Sequence, residues 1–104
     1  MELTSKQRAY LKTLSGKIEP IFQIGKASLT PAMTESISDA LEKRELDKIS
    51  VLKNCFDDPR ELADMAAERT HSAVVQVIGK RFILYRPSKK NPKIELPLAA
   101  KPQP

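Results

Sequence analysis

The sequence is poor in the residues on which disulfide-linked, zinc-binding and membrane-spanning proteins depend. It holds one cysteine and one histidine in 104 residues, so no intramolecular disulfide can form and a usual zinc ligand set is lacking. No apolar run approaches the ~20 residues of a transmembrane helix, and residues 1–10 lack the apolar stretch of a signal peptide. The composition therefore predicts one small cytoplasmic domain with no membrane, metal or cofactor partner.

Aromatic residues are also scarce, with three Phe, two Tyr and no Trp. Phe22, Phe56 and Phe82 lie in or near apolar runs and are predicted to fill the core. Tyr10 and Tyr85 are amphipathic, and a half-buried position is expected for both. The sequence thus predicts no aromatic platform for single-stranded bases, and recognition of phosphates and shape suits a nucleic-acid partner better.

Side chains suited to catalysis do not form a pattern. The single histidine, His71, lies at a predicted helix exit, where a surface or capping position is expected. Cys55 lies close to acidic Asp57 and Asp58, unlike nucleophilic cysteines, so a buried or incidental thiol is expected. Neither a P-loop nor a GxSxG motif occurs. We predict that the protein is not an enzyme and takes no small-molecule substrate.

Charge, by contrast, is abundant and unevenly distributed. There are 18 Lys and Arg residues against 13 Asp and Glu, which gives a formal net charge of +5. The basic excess lies in residues 1–26 and 80–104, whereas residues 27–79 carry more acidic than basic side chains. Basic segments grouped in this way create a positive field that attracts polyanions such as nucleic acid, although solvated basic ends are also common.

Capping residues indicate where three helices start. Thr4 followed by Gln7 is a capping-box pattern, and Thr30-Pro31 and Asp58-Pro59 each combine a cap with a proline at the first helical position. Apolar residues at helical spacing follow each of these starts. The sequence therefore predicts three helices, the first of which ends at Gly16.

Four apolar segments are typical of strands. They are Ile21–Ile24, Leu46–Leu52, Ala73–Ile78 and Arg81–Arg86. Only Gly79-Lys80 separates the last two segments, as in a two-residue hairpin with a glycine at positive φ. The order helix-strand-helix-strand-helix-strand-strand predicts a single compact α/β domain with a four-stranded mixed sheet and helices packed on it.

After Pro87 the chain becomes polar and rich in proline. Ile94, Leu96 and Leu98 alternate with other residues, which leaves a short edge strand and a mobile tail both open. We predict a domain over residues 1–97 and a flexible tail over residues 98–104.

Two basic turns are candidates for anion binding. The turn Gly25-Lys26-Ala27-Ser28 leads to the positive end of the helix after Thr30, where backbone N–H groups, two hydroxyls and an ammonium could meet one phosphate. The turn Gly79-Lys80-Arg81 places cations at a hairpin tip. The first turn alone could be an ordinary strand-to-helix connection, and the second alone could protect the hairpin against aggregation. Together with the basic ends, the two turns favour anion binding.

Three segments resemble one known family. The resemblance rests on TSKQRAYLKTLSGKIEPIFQIGKASLT, ISDALEKRELDKISVL and VVQVIGKRFILYRPSKK, in this order and spacing, and runs from about Leu3 to Pro97. Together they are similar to the CRM domain (chloroplast RNA splicing and ribosome maturation), and in particular to its bacterial stand-alone YhbY-type members. The resemblance implies an α/β RNA-binding domain similar to the C-terminal domain of bacterial translation initiation factor three. It also implies association with large-subunit ribosomal precursors.

Members of that family carry a GxxG loop between the first strand and the following helix. Here the loop reads Gly25-Lys26-Ala27-Ser28, so a serine replaces the second glycine and lowers the freedom of the backbone. The serine hydroxyl could compensate in part as a phosphate donor. The family's basic contributions in the first helix and at the end of the last strand fall on Lys6, Arg8, Lys12, Arg81 and Arg86.

We therefore predict a monomeric, non-enzymatic RNA-binding protein that associates with structured ribosomal RNA in pre-50S particles and assists large-subunit assembly. The alternative is a protein-interaction module that docks on an acidic ribosomal or assembly-factor surface without touching RNA. An RNA-modifying enzyme would need acid–base residues that the sequence does not group. The predicted RNA-binding residues are Gly25, Lys26, Ala27, Ser28, Thr30, Lys6, Arg8, Lys12, Lys80, Arg81 and Arg86.

Overall fold

The computed structural model describes residues 2–96 and contains three helices and four strands in the predicted order. The elements are α1 (Ser5–Ser15), β1 (Phe22–Ile24), α2 (Pro31–Arg44), β2 (Leu46–Val51), α3 (Pro59–Thr70), β3 (Ala73–Ile78) and β4 (Arg81–Tyr85). Three strands are one residue shorter than predicted, with Ile21, Leu52 and Arg86 lying outside them. The predicted tail, residues 98–104, lies outside the described residues.

All three helices begin at the predicted capping residues. The Gln7 N–H donates to Thr4 Oγ1 and the Thr4 N–H donates to Gln7 Oε1, both at 3.1 Å, which completes the capping box. Thr30 and Asp58 act in the same way on α2 and α3, where they accept N–H groups of the first helical turn at 3.1 and 3.0 Å. Because these N–H groups have no partner within the helix, each cap determines where its helix starts.

The helices end in two different ways. α1 ends at Gly16 as predicted, but this glycine has a right-handed φ of −63° and does not use its conformational freedom. α2 and α3 end on left-handed residues, Glu45 with a φ of 68° and His71 with a φ of 57°. His71 thus holds the capping position expected for it. No helix in residues 2–96 has the length and apolar character needed to cross a lipid bilayer.

The four strands form one mixed sheet, as predicted, in the order β1-β2-β4-β3. β1 and β2 are parallel, whereas β4 is antiparallel to both of its neighbours, β2 and β3. Gly79 lies in the two-residue turn between β3 and β4 with the predicted positive φ, 55°. It follows that β1, β2 and β3 all run in one direction and β4 runs in the other.

Helices cover both faces of the sheet, so the molecule has three layers. α2 and α3 pack on one face, where Ile37 and Leu62 meet strand residues such as Ile49 and Phe82. α1 packs on the other face, where Leu11 meets Leu46, Val75, Ile83 and Tyr85. Residues on adjacent positions of a strand point to opposite faces, which is why consecutive residues of β4 serve both cores. The sheet, packed on both faces, therefore holds the loops at its ends in defined positions.

The aromatic residues divide between core and surface. Phe82 is fully buried as predicted, and Phe22 is partly buried against the same core. Tyr85 is buried rather than half-buried, while Tyr10 lies partly exposed on α1. Phe56 contradicts its prediction, since it is exposed rather than part of the core.

The segment after β4 packs on the same face as α1. Ile94 and Leu96 lie against the core around Leu11, and neither belongs to a strand. The edge strand considered for this segment therefore does not form over residues 94–96, and Leu98 lies outside the described residues.

A buried carboxylate holds the segment after β4 in place. Glu45 accepts the backbone N–H groups of Ser88, Lys93 and Ile94 at 2.6, 2.8 and 2.7 Å. These hydrogen bonds to a charged acceptor are stronger than those between neutral groups. Residues 88–94 therefore wrap around the residue that ends α2.

Candidate nucleic-acid interface

Three loops meet at one end of the sheet. Because β1, β2 and β3 run in the same direction, their carboxyl ends lie together, and so do the segments that follow them. These segments are residues 25–30, 52–58 and 79–81, and we call the surface that they form the loop end. From the predicted RNA-binding set, the loop end contains Gly25, Lys26, Ala27, Ser28, Thr30, Lys80 and Arg81.

Backbone hydrogen bonds connect the end of β2 to both neighbouring segments. The Val51 N–H donates to the Lys80 carbonyl at 2.7 Å, and the Leu52 N–H donates to the Ile24 carbonyl at 2.8 Å. The three loops are thus anchored to one another where they leave the sheet.

Side chains bring the first two loops closer still. The Ser28 hydroxyl donates a hydrogen bond to the Asp57 carboxylate. A Cβ atom added to Gly25 would lie 3.4 Å from Asn54 Oδ1, which is about van der Waals contact. Gly25 and Asn54 are therefore neighbours across the two loops.

The loop end carries a group of exposed cations, which are Lys26, Lys53, Lys80 and Arg81. None of them forms an ion pair with another described residue. The two carboxylates of residues 52–58 have local partners, because Asp57 accepts from the Ser28 hydroxyl and Asp58 caps α3. Cations without ionic partners contribute little to folding but create a positive potential on this surface.

The turn formed by residues 25–28 has the shape that a glycine would favour at its last position. Ser28 has a φ of 61°, in the left-handed region, and its N–H donates to the Gly25 carbonyl at 2.9 Å. The serine therefore keeps the turn despite its lower backbone freedom. Its hydroxyl donates to the Asp57 carboxylate in this structure, and its role as a phosphate donor stays a prediction.

Other donors of the same turn are free. The backbone N–H groups of Lys26 and Ala27 have no acceptor among residues 2–96. Successive unpaired N–H groups in a turn are suited to anion binding, and the Lys26 ammonium lies on the same turn. Thr30 Oγ1 accepts the Met33 N–H at 3.1 Å to cap α2, which leaves its O–H able to donate to an anion.

Arg86 has an internal role rather than the predicted role on the cationic surface. Its side chain is 13% exposed and lies 3.8 Å from the Glu42 carboxylate. Its guanidinium donates to Ser38 Oγ at 3.0 Å, to the Ser38 carbonyl at 2.8 Å and to the Thr70 carbonyl at 2.8 Å. Arg86 therefore ties the end of β4 to α2 and α3, and we correct its assignment accordingly.

The predicted cations of α1 lie elsewhere. Arg8 and Lys12 line a shallow groove with Arg60 and residues 74–77 of β3, which we call the α1 groove. β3 is the edge strand opposite β1, so the α1 groove and Lys26 are at different edges of the sheet. Lys6 is exposed in the first turn of α1.

Two exposed residues of the loop end are not among the predicted RNA-binding residues. Lys53 was not in the predicted set, although it follows β2 as Lys26 follows β1. Phe56 was assigned to the core but is 93% exposed. Asn54 and Asp57 on either side of it are typical turn residues, and this was the signal that Phe56 belongs to a loop.

The carboxyl groups with shifted pKa values lie near the start of β2, away from the loop end. Burial raises the pKa of Asp47 to about 7, against the attraction of two nearby arginines. A hydrogen bond from the Ser88 hydroxyl, aided by backbone N–H groups, holds the pKa of Glu42 below its ordinary value. Burial of Glu45 opposes ionisation, but the N–H donors of residues 88–94 outweigh it and lower the pKa. The protonation of these three carboxyl groups therefore affects the stability of the fold rather than the charge of the loop end.

Within residues 2–96, no group of three or more His, Cys, Asp and Glu side chains could hold a metal ion. Cys55 is buried, and His71 caps α3. The fold and the loop end instead define a small three-layer α/β domain that presents a cationic, partly apolar surface built from three loops.

Comparison with known proteins places this domain in a family. The chain belongs to the CRS1/YhbY (CRM) domain family, whose family model matches residues 3–86. The resemblance seen in the sequence is thereby confirmed.

Relatives match over nearly the full length. A protein of Bacillus subtilis named "Probable RNA-binding protein YqeI" is 43% identical over 95 residues, which cover 91% of this chain and 99% of that one. A protein of Haemophilus influenzae named "RNA-binding protein" is 34% identical over 95 residues, covering 91% and 95% of the two chains. The solution structure of SAV1595 from Staphylococcus aureus is similar to this fold with a TM-score of 0.78 and 52% identity, over 92% of this chain and 100% of that one.

Proposed function

We propose that the protein binds RNA through the loop end. The observation that carries the proposal is the group of four exposed, unpaired cations on three loops that hydrogen bonds hold together. A phosphate backbone is the polyanion that such a group attracts. The names of the relatives in Bacillus subtilis and Haemophilus influenzae, which describe them as RNA-binding, support the same ligand.

Within this surface, the turn of residues 25–28 is the proposed phosphate site. The free N–H groups of Lys26 and Ala27 and the Lys26 ammonium are its donors. Lys53, Lys80 and Arg81 extend the contact along the RNA backbone. The cations of the α1 groove, with Lys6, are a second proposed contact for a folded RNA.

We further propose that the RNA is structured ribosomal RNA in precursors of the large subunit, and that the protein assists assembly without catalysis. Membership of the CRS1/YhbY (CRM) family supports this proposal. A surface that offers mainly phosphate contacts suits an RNA recognised by shape. The proposed site of action is the cytoplasm, where bacterial ribosomes are assembled.

Charge reversal at the loop end tests RNA binding. The double variant Lys26→Glu/Arg81→Glu is compared with Lys17→Glu/Lys43→Glu, which changes the net charge equally at exposed positions near the opposite end of the sheet. Affinity for a ribosomal RNA fragment, measured by filter binding at low salt, should fall about tenfold or more in the first variant and much less in the control.

Two results would contradict the proposal. One is an equal loss in both double variants, which would show that net charge rather than the loop end matters. The other is no binding of RNA by the unmodified protein at low salt. Circular dichroism checks that both variants keep the fold, as expected for exposed side chains.

Sedimentation with ribosomal particles tests the ribosomal part of the proposal. We expect the protein to migrate with large-subunit precursors on a sucrose gradient and to leave them after RNase treatment. Migration that survives RNase, in a protein that binds no free RNA, would favour docking on a ribosomal or assembly-factor protein instead.

A further inference from the structure

Phe56 is the most exposed large apolar residue of the described chain. It is 93% exposed, whereas burial of the apolar surface of a phenylalanine side chain normally stabilises a fold. Single exposed apolar residues are common and need no explanation by themselves. Phe56 differs from such residues because it lies in the loop end and because the backbone on both sides of it is anchored.

The backbone on both sides of Phe56 is anchored. On one side, Cys55 is buried and its N–H donates to the Leu52 carbonyl at 3.0 Å. On the other side, the Asp57 carboxylate accepts from the Ser28 hydroxyl, and Asp58 accepts the Arg60 N–H at 3.0 Å to start α3. The ring is therefore presented to solvent by an ordered loop, and binding through it would cost little ordering entropy.

The loop end, to which Phe56 belongs, combines apolar and cationic groups. Leu52, the residue after β2, and Ile78, the last residue of β3, are 38% and 54% exposed and line one cavity with Lys53, Lys80 and Arg81. The four unpaired cations of the loop end come from the same three segments. An occupant of this surface must offer negative charge and a flat apolar face together.

A nucleotide with an unpaired base meets both conditions. Its phosphate pairs with the lysines, and its base has a π-face that stacks on an aromatic ring. A base inside a duplex is already stacked and offers no free face, so a purely double-stranded RNA would leave Phe56 unused.

We propose that Phe56 is a stacking platform for an unpaired RNA base, and that the preferred RNA carries a bulged or single-stranded nucleotide beside the phosphates held by the lysines. This inference rests on the proposed RNA-binding function and adds the class of RNA. It also adds an unpaired base to the recognition of phosphates and shape expected from the sequence.

The first experiment compares two RNAs and two variants. The RNAs are a blunt-ended two-strand duplex with every base paired, used as the paired stem, and the same stem with one bulged nucleotide. The variants are Phe56→Ala and, as control, Met65→Ala, which removes another exposed apolar side chain, on α3. Phe56→Ala should weaken binding of the bulged RNA by roughly 5- to 150-fold, the range reported for loss of one base–aromatic stack. Binding of the paired stem and the salt dependence should stay unchanged.

The second experiment observes the stack directly. The sequence contains no tryptophan, so Phe56→Trp introduces a single fluorescent reporter at the platform. The bulged RNA should quench its emission at the concentrations at which it binds, whereas Met65→Trp on α3 should respond little. Phe56→Trp should also keep the affinity that Phe56→Ala loses, since tryptophan stacks as well as phenylalanine.

The outcomes separate this inference from the function on which it rests. If the unmodified protein binds both RNAs and Phe56→Ala binds them equally well, RNA binding stands and the stacking platform is overturned. If the unmodified protein binds neither RNA, the proposed function fails and this inference fails with it. If Phe56→Ala keeps its RNA affinity but leaves ribosomal particles, Phe56 contacts a protein and the inference is overturned.

Discussion

At the scale of single residues, Ser28 stores a small backbone strain. Its φ of 61° lies in the left-handed region, which costs a residue with a Cβ atom roughly 1 kcal/mol relative to glycine. The hydroxyl offsets part of that cost through its hydrogen bond to Asp57. A serine is therefore tolerated in this turn because its side-chain hydrogen bond offsets part of a strain that glycine would not have.

Substitution of Ser28 separates these two effects. Ser28→Gly removes both the strain and the hydrogen bond and should change the free energy of unfolding little. Ser28→Ala keeps the strain and loses the hydrogen bond, so it should be less stable than Ser28→Gly by about 1 kcal/mol. Urea unfolding of the two variants measures the difference. Equal stability would mean that the turn does not keep its left-handed residue.

Asp47 makes the stability depend on pH. In the folded protein burial raises its pKa to about 7 from 3.8, and both carboxyl oxygens lack a hydrogen-bond partner among residues 2–96. The folded state thus keeps a proton that the unfolded state releases. The contribution of Asp47 is therefore full below about pH 4 and is lost as the pH rises to about 7.

Asp47→Asn removes this titration while keeping the shape of the side chain. We expect the variant to gain stability relative to the unmodified protein as the pH rises from about 4 to 7, with no further gain at higher pH. Urea unfolding at a series of pH values measures the gain. A difference that stays constant over this range would contradict the assignment to Asp47.

At the scale of elements, the segment after β4 depends on one carboxylate. Glu45 ends α2 in a left-handed conformation and accepts three backbone N–H groups of residues 88–94. Because its pKa lies below the ordinary value, this stabilisation is present at neutral pH and is lost as the pH falls through the pKa of the folded state. One residue thus joins a helix end to a segment that has no strand or helix of its own.

Glu45→Gln tests this link, with Glu35→Gln at an exposed position of α2 as the control. The glutamine amide cannot accept all three hydrogen bonds, so we expect a loss of about 1 to 3 kcal/mol in the free energy of unfolding. Amide hydrogen exchange at Ser88, Lys93 and Ile94 should become faster, while the β4 amides stay protected. Unchanged exchange at these three amides would show that apolar packing alone holds the segment.

Most of the element structure could be predicted because its signals are local. The capping box of Thr4 and the two cap–proline pairs act within four residues, and the structure confirms each of them. The positive φ of Gly79 could also be predicted, since a two-residue hairpin turn requires it. The ends of the strands were harder to predict, because whether Ile21 or Leu52 belongs to a strand depends on hydrogen bonds with the neighbouring strand.

At the scale of the whole molecule, the candidate site depends on contacts between distant segments. The family resemblance placed Arg86 on the cationic surface, but Ser38 and Thr70, far away in the sequence, accept hydrogen bonds from its guanidinium. Phe56 was assigned to the core because of its apolarity, although the loops around it leave it in solvent. Lys26, Lys80 and Arg81 were placed at turns correctly, since turns can be read from local sequence.

The salt dependence of RNA binding should reveal how much of the molecule engages. If only the four cations of the loop end meet phosphates, the plot of log affinity against log salt should have a slope of about −3 to −4. Engagement of Lys6, Arg8 and Lys12 as well should steepen it to about −5 to −6. In the first case Arg8→Ala leaves the slope unchanged, and in the second it reduces the slope by nearly one.

The loop end is attached to the sheet but contributes little to the two cores. Only Leu29 and Cys55 of its loops are buried apolar residues, while the other positions of the turns and loops face outward or face each other. Apart from Ser28 and the capping residues Thr30 and Asp58, its exposed positions can therefore accept substitutions without unfolding the domain. A fold of this kind can change what its loops bind during evolution by altering three short loops, while selection for stability acts on a different set of residues.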